Sequence, residues 1–99
     1  MNDKTIVAPV TAPGRGGVSI IRVSGRDSKK IAEVMCGDLS EPWRFKKTKI
    51  ISLDGEVLDS GMVVFFESPH SYTGDDVVEF HCHGNPVVVN LIVEEIVRL

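Results

Sequence analysis

Hydrophobic positions change period several times along this chain, and each change predicts an element. Thr5-Ile6-Val7-Ala8 and Val18 to Val23 are dense in β-branched residues and read as strands, parted by the turn-forming run Pro13-Gly14-Arg15-Gly16-Gly17. Ser24-Gly25-Arg26-Asp27 then has the form of a capping box, with Ser at the N-cap and an acid three residues on. Behind it Ile31, Val34 and Met35 fall at i, i+3 and i+4, the stripe of a short amphipathic helix that Gly37 is placed to end. Lys49-Ile50-Ile51 and the run from Val57 flank Asp54-Gly55, a strong hairpin signal, and the second arm is expected to resume as Met62 to Phe66.

Ser68 to Asp76 is polar and reads as a loop. From Val77 to His83 the pattern alternates, with Val78, Phe80 and Cys82 on one face and Glu79, His81 and His83 on the other, so a strand with one buried side is expected. Asn85-Pro86 supplies an N-cap followed by proline at the first helical position, which makes the Val-rich tail a helix. Asn90, Glu94 and Arg98, spaced by four with Glu95 beside them, form its polar stripe. The rest of its circumference is apolar, wider than a surface helix on a small domain needs, so part of it is expected to face a partner or further chain. The order β-β-α-β-β-β-α predicts an α+β domain with a mainly antiparallel or mixed sheet and two helices.

Composition narrows the class. Ninety-nine residues allow one domain with a small core built from Val, Ile and Leu. No apolar run approaches the ~20 residues of a membrane-spanning helix, and the N-terminus lacks the regions of a signal peptide. Cys36 and Cys82 make no disulfide framework, so a reduced, cytoplasmic protein is expected. The net charge of −3 conceals +5 over residues 1–49 and −8 over residues 50–99. Halves so charged attract when folded together, which explains the asymmetry more simply than RNA binding by the stripe Arg44, Lys46, Lys47 and Lys49. The chain ends on Arg98-Leu99 with no helix stop signal and reads as part of a longer protein.

Few constellations carry chemistry. Gly14-Arg15-Gly16-Gly17-Val18-Ser19 has Ser19 where a dinucleotide loop needs glycine, and no Gly-Lys-Ser/Thr phosphate loop exists, so neither GTP binding nor GTP hydrolysis is expected of this chain. His81 and His83 share a strand face, but only Glu79 is assured beside them, short of a metal site, and Cys82 points the other way. No catalytic residue is assigned. Arg22 stands on the Val18/Ile20 face of its strand, where an apolar side chain is expected, and Glu79 could be its partner. A structural ion pair and a polar pair lining a pocket are equally open on this pattern.

Thr5 to Ala8, Thr11 to Val18, Ile21 to Gly25, Ser68-Pro69 with Ser71 to Asp76, and Val78-Glu79 followed by His83-Gly84 and Pro86 resemble, in order, the opening of the MnmE (TrmE) family of tRNA-modification GTPases. Ala12 and Asn85 depart from a usual proline and glycine. The resemblance implies an N-terminal domain similar to folate-binding aminomethyltransferases, which binds a tetrahydrofolate derivative (5-formyl or methylene form) and pairs as a homodimer. Residues 1–99 would be most of that domain. The helical domain and the G domain, with its GTP, magnesium and potassium, would lie outside it, as would a further folate-site lysine and a C-terminal Cys motif. The implied function is modification of carbon 5 of the wobble uridine of certain tRNAs, an aminomethyl-type addition made with the flavoprotein MnmG. The family's folate-contacting arginine and glutamate fall on Arg22 and Glu79. Rival readings are a purely structural dimerisation module and a metal hydrolase using His81 and His83.

Overall fold

The computed structural model describes residues 4–10, 17–39, 41–68 and 74–99. The Gly-rich turn expected at 13–17 and the middle of the polar loop expected at 68–76 fall largely outside these residues. The observed order is β1 (Ile6–Pro9), β2 (Val18–Ser24), α1 (Ser28–Cys36), β3 (Lys46–Ile51), β4 (Val57–Phe66), β5 (Val77–His83) and α2 (Pro86–Arg98). The strands form one five-stranded sheet in the order β1-β2-β5-β4-β3, and every neighbouring pair is antiparallel. The α+β class expected from the pattern is the class found.

Helices cover one face of the sheet only. Ile21 and Val23 of β2, Val63 and Phe65 of β4, and Val78, Phe80 and Cys82 of β5 alternate onto that face. There they pack with Ala32 and Met35 of α1 and Ile92 and Ile96 of α2 in a single cluster. Each fully buried aliphatic side chain stabilises the fold by roughly 1.5–3 kcal/mol, and β5, with both sheet neighbours in place, supplies three members.

Two local expectations give way to tertiary structure. Ser24 does not cap α1, because it is the last residue of β2, paired with Ile6 and Val77. The helix begins four residues later, and the N–H of Asp27 donates to Thr5 Oγ1 from the segment before β1. The second arm of the hairpin does not pause and resume: β4 runs unbroken from Val57 to Phe66. The Asp54-Gly55 turn is present, with Gly55 at φ +87° and Ser52 N–H bonded to the Glu56 carbonyl at 2.8 Å. At α2 the expected cap forms, Asn85 Oδ1 accepting the Val87 N–H at 2.9 Å.

Glu95 corrects the expected polar stripe. Asn90, Glu94 and Arg98 are exposed, but Glu95 is only 6 % exposed and its Oε2 accepts the N–H of Leu53 at 2.7 Å. A carboxylate on α2 thereby pins the β3–β4 turn. Replacing Glu95 by Ala removes a charged hydrogen bond, about 1.5–3 kcal/mol, and a melting curve should fall by several degrees, at about 4–8 °C per kcal/mol. Glu94→Ala, on the exposed stripe, should stay within about 0.5 kcal/mol of the parent. Equal melts for the two variants would remove the pin.

Candidate functional site

The face of the sheet without helices carries the polar residues. Register fixes three rungs across it. Ala8, Arg22, Glu79 and Val64 form the first; Ile20, His81, Met62 and Lys47 the second; Val18 opposite His83, and Ser60 opposite Lys49, the third. Strand alternation puts these side chains opposite the core, so the apolar code on one face of β5 leaves its other face available for chemistry.

Arg22 and Glu79 stand directly opposite on β2 and β5 and form an ion pair. Arg22 Nη2 donates to Glu79 Oε2 at 2.8 Å and Nε to the same oxygen at 3.1 Å. His81 Nε2 lies 3.1 Å from Glu79 Oε1. An ionised carboxylate has no hydrogen to give, so this nitrogen carries the proton. The pattern alone did not foresee His81 as a partner, although residues i and i+2 of one strand face are neighbours by construction. Glu79 is 5 % exposed, whereas the Arg22 side chain keeps 31 %. The ion pair also joins the basic first half of the chain to the acidic second half.

Aromatic groups flank this cluster. Phe45 meets the His81 ring edge-to-face at 5.0 Å between centroids, and Trp43 meets Phe66 at 4.5 Å. Trp43 holds φ +69°, a strained value for an aromatic residue, and its N–H donates to the Phe65 carbonyl at 2.8 Å. Such strain concentrates at binding sites. Beside His81 opens a shallow cavity of about 590 Å³ lined by Val18, Lys47, Ser60, Met62, His81 and His83. Gly61 lies there because an added Cβ would come within 2.1 Å of the His81 carbonyl oxygen. A second cavity, about 490 Å³, sits on the helical side between α1 and the end of α2, away from the ion pair.

The basic run Arg44, Lys46, Lys47 and Lys49 does not form one surface. Lys46 turns its ammonium toward the carbonyls of Cys36 and Asp38, and Arg44 lies 3.7 Å from Glu41. Lys47 and Lys49 alone face the open side, as alternation along β3 requires. Among the described residues, no group of three or more His, Cys, Asp or Glu could hold a metal ion. Cys36 and Cys82 are free and buried, and burial pushes both thiols up to about 11. A thiol raised in this way disfavours the thiolate that nucleophilic chemistry needs. Among the described residues, no helix is long and apolar enough to cross a membrane.

His83 has a carboxylate of its own. Asp59 Oδ1 accepts from its Nδ1 at 2.7 Å and Oδ2 from its backbone N–H at 2.8 Å. Burial raises the Asp59 pKa, but the bonds from His83 and Ser60 outweigh it and hold the carboxyl below its ordinary 3.8. A lowered folded-state value stabilises the fold above the unfolded value, and that contribution is lost as pH falls through the folded one. Asp59→Asn should therefore lower the melting temperature at pH 7, and the gap to the parent should close as pH drops below about 4. A gap independent of pH would show that the carboxylate charge is not what holds His83.

The family described as GTP-binding protein TrmE N-terminus matches residues 5–99. The tRNA modification GTPase MnmE of Nitrosomonas eutropha is 41 % identical over 98 residues, covering 99 % of this chain and 22 % of the relative. Those of Pseudoalteromonas translucida and Stutzerimonas stutzeri are 44 % identical over 99 residues and 46 % identical over 95, covering 100 % and 96 % of this chain. The chain spans about a fifth of the length of these relatives (22 % and 21 %). It belongs to the family of TrmE N-terminal domains.

Proposed function

We propose that this chain is the tetrahydrofolate-binding, dimer-forming N-terminal domain of a tRNA-modification GTPase. The parent protein would use GTP with magnesium and potassium in its G domain. With the flavoprotein MnmG it would modify carbon 5 of the wobble uridine of certain tRNAs in the cytoplasm. The observation that carries the reading is the Arg22–Glu79–His81 cluster, a buried carboxylate placed on the side of the sheet that no helix covers.

The donor set fits a reduced pterin. Its amino-pyrimidinone edge presents parallel N–H donors that a carboxylate accepts through both oxygens. Both Arg22 bonds to Glu79 fall on Oε2, while among the described residues Oε1 receives only His81. To admit a second ligand donor, Arg22 gives up one of its two bonds to Glu79. Its partly exposed guanidinium can do so and turn toward a ligand carbonyl. His81 meanwhile holds the carboxylate in place through Oε1. When bound, the folate derivative would supply a one-carbon unit, and this chain's residues would hold and orient it.

The burial of Glu79 changes what its substitution should do. A hydrated pocket carboxylate would be replaceable at no cost in stability, but a residue 5 % exposed is not hydrated. Glu79→Gln should lower affinity for 5-formyltetrahydrofolate about tenfold to a hundredfold, since a charged hydrogen bond contributes roughly 1.5–3 kcal/mol. It should also lower the melting temperature by a few degrees. Arg22→Met removes the cation paired with buried Glu79 and should destabilise more. Isothermal titration of the two variants decides the point: unchanged folate affinity in both would leave the cluster as scaffold only.

Dimer formation is supported by apolar side chains left on the surface: Ile6, Val18, Phe45 and Met62 on or beside the open sheet face, and Val87, Leu91 and Val97 on α2. Sedimentation at high protein concentration should show a dimer. A strictly monomeric species would overturn this part of the reading.

A further inference from the structure

We propose that the open-face lysines Lys47 and Lys49 bind the oligo-γ-glutamyl tail of a reduced folate. The inference rests on the reading of Arg22 and Glu79 as the pterin site and extends it to a second part of the ligand.

The argument begins with charge. On the first rung the charges of Arg22 and Glu79 are matched. Beyond His81 the balance becomes cationic. Lys47 stands on the His81 rung and lines the same cavity as His81 and His83, and Lys49 stands two residues further along the same side of β3. Among the described residues, no hydrogen bond or ion pair engages either ammonium. The neighbouring carboxylate, Asp59, is already occupied by His83. Two ammonium groups with no counter-charge among the described residues, beside a cavity that opens next to the pterin-binding pair, favour an anionic ligand group.

Spacing identifies the anion. One rung along the strand and two strands across place the Lys47 backbone roughly 12 Å from that of Glu79. The aromatic amide that joins a pterin to its glutamate can span such a gap. It would run past His81, Phe45 and Met62, the apolar and aromatic surface that a benzoyl ring needs. Lys49 follows Lys47 at about 6.6 Å along the strand, so a chain of γ-linked glutamates, each carrying a free carboxylate, meets a repeating row of ammonium groups. Lysines on an edge strand also discourage unwanted strand pairing, but that role predicts no preference among ligands.

The test compares the mono- and triglutamate forms of 5-formyltetrahydrofolate by isothermal titration against the parent chain and the double variant Lys47→Gln/Lys49→Gln. Exposed charge pairs are weak, so the triglutamate should bind the parent about three- to tenfold tighter. That advantage should shrink as salt rises from 50 to 300 mM, since exposed pairs are screened. The double variant should bind the monoglutamate within about a factor of three of the parent and lose most of the advantage. Melting curves should be unchanged, both side chains being exposed. Equal affinity of the parent for the two ligands, or an advantage that survives the double variant, overturns the tail site and leaves the pterin site standing. Failure of the parent to bind either ligand overturns both.

Discussion

A carboxylate with almost no contact with water has to be surrounded by donors, and Glu79 is that carboxylate in this domain. Arg22 reaches it from β2 and His81 from its own strand. The arrangement needs β2 and β5 in one register. A slip of one residue would send Arg22 to the helical side and Ile21 to the open one. Core and cluster therefore specify the same alignment from opposite faces of the sheet.

Putting both helices on one side is what frees the other for binding. Ile21, Val23, Val78 and Phe80 draw α1 and α2 onto one face. That opposite face keeps a small apolar patch of its own, Val64, Phe66 and Val77, which Trp43 partly covers. The polar cluster is thus set on a rigid sheet rather than on loops. Such a platform holds side chains in place before a ligand arrives, so less ordering is needed on binding.

Tertiary contacts also reassign charges that looked free. Glu95 sits beside an exposed helical stripe in sequence, yet it is buried and holds the β3–β4 turn through the Leu53 N–H. Lys46 lies in a basic run, yet it bonds carbonyls at the end of α1, and only its alternate neighbours Lys47 and Lys49 face the open side. Period-2 alternation splits any run of like residues on a strand between two environments.

The sequence by itself determined the order of elements, the α+β class, the Asn85 cap and the two faces of β5. These follow from local rules: side-chain period, proline and glycine geometry, and capping chemistry. Arg22 was also visible there, as a charge where an apolar residue belonged, with Glu79 as its possible partner. Their meeting was not, because a distance between residues 57 positions apart depends on strand order, which no local pattern encodes. The same holds for the start of α1. Ser24 satisfies the capping pattern but is held in β2 by pairing on both sides, and sheet hydrogen bonds outweigh a single cap. Tertiary structure alone decided that Glu79 would be buried, that His81 would share it, and which lysines would stand beside it.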